Sequence, residues 1–236
     1  MQDIKTFLVL GHTKDNAPGE VFDKAARFMA LHDLDDFRDI SGGEAIQRMS
    51  KNGNPESFPF SEPLGRYRDC MFSFSGYRTN LKTLTTKLQE KSQLDFQTKA
   101  DISASLQYSI GTFLAKRILR GIEFANREEL WNDKVPKTLA ISGGVASNLK
   151  IREIIENACD IVNCEVVYPP VKYCTDNGVM IAWNGVEKWN ENNPEDFVPW
   201  NKVFDVEVVP RISFGQDITH EVLAAHIPNT KLKNKC

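Results

Sequence analysis

Thr138-Leu139-Ala140-Ile141-Ser142-Gly143-Gly144-Val145-Ala146-Ser147-Asn148 reads as a short apolar strand running into a Gly-rich loop that opens a helix. The same order of elements returns in Glu165-Val166-Val167-Tyr168, followed by the loop Cys174-Thr175-Asp176-Asn177-Gly178 and a second helical run. Strands that feed helices through such loops indicate an α/β architecture. One loop is rich in glycine and the other carries an acid, a pairing suited to a phosphate-bearing ligand and a cation.

Working outward, the longest helical pattern runs from Asp101 to Glu129. Its Ile102, Leu106, Ile110, Phe113, Leu114, Ile118 and Ile122 recur at steps of three and four, so one face belongs to a core. Before it, Thr79 to Leu94 reads as a helix, and Met71-Phe72-Ser73-Phe74-Ser75 alternates as a half-buried strand does. Asn52 to Arg68 holds Pro55, Pro59 and Pro63 and reads as an extended excursion. Nearer the start, the chain enters structure at Phe7 to Leu10, Val21 to His32 reads as a helix, and a further helix follows Ser41-Gly42-Gly43. Beyond Trp189 the composition becomes linker-like. The expected division is therefore a body over 1–190 and a linker and tail over 191–236.

A chain of 236 residues can bury a sizeable core, and its 41% hydrophobic and 26% charged residues are ordinary for a globular protein. The net charge of -3 gives no whole-chain nucleic-acid signature, although a local basic face would suffice for binding. Five scattered cysteines without a CxxC pair point to reduced thiols rather than a zinc site or a disulfide framework. No apolar run approaches the length of a membrane span, so no membrane partner is expected.

Each candidate site residue has a plain alternative. The Ser142–Asn148 loop could hold a nucleotide through its backbone amides, or be a tight turn in which Ser147 or Asn148 caps the helix. Asp176 could ligate a metal or cap the next helix. Asp23 could accept hydrogen bonds from a ribose or an amino-acid moiety, or serve a helix start. Ser73 to Thr79 could present Arg78 to a phosphate, or be a simple turn.

Taken together, five segments resemble a known family. They are Leu10-Gly11-x-Thr13-x-Asp15-x-Ala17-Pro18-Gly19-Glu20-x-x-Asp23-Lys24-x-Ala26-Arg27, Ser41-Gly42-Gly43, Phe72-Ser73-Phe74-Ser75-Gly76, Ser142 to Asn148, and Cys174 to Gly178. In that order they are similar to the TsaD-type N6-threonylcarbamoyladenosine synthases, once named O-sialoglycoprotein endopeptidases. Met180 to Lys188 and the tail around Pro210-Arg211 and Gly215 to Ile218 resemble the mitochondrial branch.

The resemblance implies an actin-like ATPase (ASKHA) fold, mainly its second lobe. It implies transfer of the threonylcarbamoyl group from threonylcarbamoyl-AMP to N6 of adenosine 37 in tRNAs that read ANN codons, by a mitochondrial homodimer. Carried over by position, Asp23, Gly43 and Asn148 would contact the adenylate, and Asp176 would ligate one divalent metal ion. The family's HxxxH pair and its Gly-Gly-His-Thr phosphate loop have no counterpart in these residues. Catalysis is therefore set beside an alternative, a non-catalytic module for dimerisation or tRNA binding.

Overall fold

The computed structural model describes residues 6–132, 134–174, 177–192, 197–207 and 215–230. Its centre is helix α4 (Phe96–Arg127), started by Asp95, whose carboxylate accepts the Thr98 amide at 2.8 Å. Helices α2 (Gly42–Met49) and α5 (Leu149–Asp160) pack against α4, while α1 (Pro18–Phe28) packs on α2 and on α3 (Ser75–Glu90), and all five share one core. Ile102, Leu106, Ile110 and Phe113, from the periodic face of α4, are fully buried. They meet Phe22 and Ala26 of α1, Ile46 of α2, Leu81 of α3 and Ile151 and Ile155 of α5 in one core. Phe74 and Tyr77 set their rings against Phe113 at 5.8 and 6.2 Å, fixing α3 on the same core.

Strands are few and short. β2 (Thr138–Ala140) pairs in parallel with β3 (Glu165–Val167), in the register Leu139 to Val166, and α5 makes the crossover between them. β1 (Leu8–Val9) pairs in parallel with β4 (Gln216–Asp217), near the other end of the chain. Helix α7 (Thr219–Ala224) follows, and Ile218, Val222 and Ile227 form a second buried cluster with Cys70 and Phe124. The tail residues thus return to the body. The α/β class is observed, with helices supplying most of the core.

Two expectations are corrected. Met71 to Ser75 is no strand; its pairing is a single parallel bridge between Phe72 and Thr13. Helix α3 begins at Ser75 rather than Thr79, because Asp15 supplies a start that the local sequence lacks. Its carboxylate accepts the Phe74 amide at 2.7 Å and the Ser75 amide at 3.3 Å, and the hydroxyls of Ser73 and Ser75 at 2.5 and 2.8 Å. Partial burial works to raise the Asp15 pKa, but these bonds hold it at about 2.

Two arginines of α4 fasten the loop before residue 71. Buried Arg117 pairs with Asp69 at 3.0 Å and donates to the carbonyl of Leu64, while Arg120 donates to the carbonyls of Asp69 and Ile227. Each bond satisfies a charge that burial would otherwise penalise. Helix α6 (Gly178–Glu191) contrasts with all of this, since none of its residues is buried. Ile181 and Trp189 are each 70% exposed. No helix among the described residues is long and apolar enough to cross a membrane.

Candidate adenylate site

The Gly-rich loop leaves β2 through exposed Ser142 and turns at Gly143, whose φ of 102° lies where only glycine sits without strain. A 3-10 turn over Gly144–Ser147 follows, closed by the Ala146 amide on the Gly143 carbonyl at 2.9 Å. Asn148 then caps α5, its side-chain oxygen accepting the Ile151 amide at 3.1 Å. The Leu149 amide donates to Gln47 of α2 at 2.7 Å. The first turn of α5 is therefore supplied with protein acceptors. Gly143 and Gly144, with open space where a side chain would stand, are the backbone free to approach a ligand.

Three of the segments singled out in the sequence meet here. A side-chain carbon at Gly19 of α1 would lie 3.5 Å from Val145 of the loop. One at Gly42, the first residue of α2, would lie 2.5 Å from both the Cα and the carboxylate of Asp23. Gly42 is buried, and its lack of a side chain is what lets Asp23 stand against the start of α2. Asp23 itself is exposed. It lies in the second turn of α1, which starts at Pro18 with Glu20 as its first-turn acid. Asp23 is thus not needed for the helix start. Gly43 follows in α2 and also faces open space.

Asn148 is 6% exposed, and its amide nitrogen donates to buried Gln107 of α4 at 2.6 Å. Both the capping role and the placement beside the glycines hold for this residue. Gln107 escaped the sequence reading because it was absorbed into the α4 stripe. Its signal was a polar residue next to Leu106 on the core face.

Arg152 of α5 joins the two loops. It donates through Nε to the Ala146 carbonyl, approaches the Cys174 sulfur at 3.8 Å, and lies 4.2 Å from the centre of the Tyr168 ring. Asp176 lies outside the described residues. The cap of α6 is Asn177, which accepts the Met180 amide at 3.1 Å. Among the described residues no group of three His, Cys, Asp or Glu side chains could hold a metal ion. The described residues thus form no complete centre for the metal that the resemblance implies. The cysteines at 70, 159, 164 and 174 are buried and unbridged. Burial pushes the Cys70 thiol up to about 11 and, helped by Cys164, the Cys159 thiol up to about 12, which removes both as nucleophiles. Arg78, on α3, is half-buried and joins none of these contacts.

Comparison with known proteins decides the family. The profile described as "TsaD: tRNA N6-adenosine threonylcarbamoyltransferase" matches residues 1–183. The chain belongs to the TsaD family. Among similar proteins, the mitochondrial tRNA N6-adenosine threonylcarbamoyltransferase of Danio rerio is 38% identical over 98% of this chain and 57% of its own length. The Homo sapiens protein of the same name is 35% identical over 99% of this chain and 56% of its own length. The tRNA N6-adenosine threonylcarbamoyltransferase of Rickettsia bellii is 36% identical over 82% of this chain and 53% of its own length. The chain thus spans a little over half the length of the relatives it matches.

Proposed function

We propose that this TsaD-family chain is the adenylate-holding part of a mitochondrial enzyme that transfers a threonylcarbamoyl group from threonylcarbamoyl-AMP to N6 of adenosine 37 in tRNA. Residues 1–190 are read as the second lobe of an actin-like fold and 191–236 as its linker and tail. Family membership and the names of the mitochondrial relatives support the activity and the compartment. The observation that carries the site is the meeting of Asp23, Gly42–Gly43 and the Ser142–Asn148 loop around one end of α1.

In this reading the adenosine amine attacks the carbamoyl carbon, a nitrogen–carbon bond forms, and the carbon–oxygen bond to the phosphate breaks. AMP departs, and the amine gives up one proton. The chain's own part is binding and orientation. Backbone amides at Gly43 and at Gly143–Gly144 face the phosphate, where negative charge grows as AMP leaves. Asp23 accepts from the ribose hydroxyls, and Asn148 contacts the adenylate. Asp176 is read as a ligand to a divalent ion, which would add positive charge at the same phosphate. Titrating AMP into wild-type, Asp23→Ala and Asn148→Ala chains tests the site. Binding that survives both substitutions would overturn it.

Helix α6 favours a second reading, in which the chain serves a homodimer. Ile181, Trp183, Val186 and Trp189 are all at least half exposed, an apolar surface of the kind that partners cover. Light scattering on wild-type and Trp183→Ser/Trp189→Ser chains checks it. The wild type should be a dimer that the double substitution dissociates, and a wild-type monomer would end the reading.

A further inference from the structure

We infer that Gln107 is a positioning residue for the adenylate site, fixing which end of the Asn148 amide faces which way. The inference rests on the proposed role of Asn148. Gln107 lies in the middle of α4 and is 1% exposed, so each of its polar atoms must find a partner inside the protein. Its two amide atoms could in principle be exchanged, and the surrounding hydrogens decide between the two orientations.

The chain of choices begins at Ser50, the residue that closes α2. The Ser50 hydroxyl donates to the Gln47 carbonyl at 3.0 Å, so its one hydrogen is committed and its oxygen is left to accept. The Gln107 nitrogen donates to that oxygen. The Gln107 oxygen must then face the other way, where it accepts from the Asn148 nitrogen at 2.6 Å. That in turn aims the Asn148 oxygen at the Ile151 amide, 3.1 Å away, which is the cap of α5. Reversing Asn148 would set oxygen against oxygen at Gln107 and donor against donor at Ile151, a costly arrangement in a buried setting. One serine hydrogen therefore propagates through Gln107 to the residue that ends the Gly-rich loop. Helices α2 and α5 are tied again by Gln47, which accepts the Leu149 amide at 2.7 Å.

The test separates orientation from folding. Gln107→Met keeps the length of the side chain but offers Asn148 no oxygen. Gln107→Glu, kept neutral by burial, retains an acceptor toward Asn148 and an O–H that can donate to Ser50 in place of the amide. AMP is titrated calorimetrically into wild-type, Gln107→Met, Gln107→Glu and Asn148→Ala chains, and the Asn148 side-chain amide signals are followed by nitrogen–proton NMR. Gln107→Met should weaken AMP binding about tenfold and shift or broaden the Asn148 signals, the loss expected for one misdirected buried hydrogen bond. Gln107→Glu should restore both, to within about twofold of wild type, because the acceptor is kept.

If Asn148→Ala weakens binding but Gln107→Met does not, the adenylate site stands and the positioning role falls. If Met and Glu at position 107 weaken binding alike, Gln107 is merely structural and the inference is overturned. A wild-type chain without AMP affinity, or an Asn148→Ala chain that binds normally, removes the site reading and the inference with it.

Discussion

Neighbouring glycines 42 and 43 should respond oppositely to alanine. At Gly42 the added carbon would stand 2.5 Å from the Asp23 Cα, 2.5 Å from its carboxylate oxygen and 3.2 Å from its nitrogen. Carbon atoms in good contact lie about 3.5–4.0 Å apart, so α1 and α2 must separate by roughly 1 Å. Two of the three atoms met are backbone and cannot swing aside. Overpacking of this kind costs about 1–3 kcal/mol. The better helix propensity of alanine offsets part of that, by less than about 1 kcal/mol because Gly42 is only the first residue of the helix. The net loss is about 1–2 kcal/mol, or a Tm lower by roughly 3–6 °C for a chain of this size.

At Gly43 the new carbon meets nothing within 4 Å, so Gly43→Ala should leave stability unchanged or raise it by about 0.5 kcal/mol. Its effect should fall on AMP binding instead, because the methyl group occupies the space read as ligand approach. Differential scanning calorimetry and AMP titration on both variants make the comparison. A Gly42→Ala chain as stable as wild type would refute the close approach of α1 and α2. A Gly43→Ala chain with unaltered AMP affinity would remove Gly43 from the site.

Asp15 should make stability depend on acid. Its folded pKa of about 2 lies below the ordinary 3.8, so its contribution is present above about pH 4 and fades as pH falls toward 2. That drop corresponds to roughly 2 kcal/mol, and screening at this exposed carboxylate leaves about 1 kcal/mol. Asp15→Asn should cost that much at pH 7 and nothing at pH 2 in urea titrations; a gap independent of pH would contradict the capping role. Arg152→Met should release the Ala146 carbonyl and the Tyr168 face together, speeding amide exchange about tenfold over residues 142–148 while α4 stays protected. Exchange that is unchanged there would refute the tie. Cys70 and Cys159 should resist alkylation at pH 8 until the chain is unfolded, as mass spectrometry of labelled peptides can establish. Rapid native labelling of either would contradict their burial.

The fold was legible where one element carries its own pattern. The stripe from Ile102 to Ile122 announces α4, and the strand-loop-helix order announces β2, β3 and α5. It was hidden where a distant residue decides. Helix α3 starts at Ser75 because Asp15, sixty positions earlier, receives its first amides, and no local signal at Ser75 records that. Strands of two residues, such as β1 and β4, are too short to show alternation, so the return of the tail left no trace in the sequence. At the site, Asp23, Gly43 and Asn148 were recognisable only as members of a family pattern. Gln107 looked like one more residue of a core helix, since a hydrogen-bond chain through Ser50 depends on three helices meeting.

The pairing of β1 with β4 also sets an order of events. Leu8 and Val9 are made well before Gln216 and Asp217, so their hydrogen-bonding edge waits until those residues emerge. Arg120 waits as well, since its partners include the carbonyl of Ile227. During synthesis the helical core can assemble around α4 while the cluster of Cys70, Phe124, Ile218, Val222 and Ile227 is still open. A nascent chain stalled before residue 216 would carry an unpaired β1 edge and a buried-type arginine facing water. Such a species is a natural client for chaperones, and the stretch that carries Gln216, Asp217 and Ile227 is what releases it.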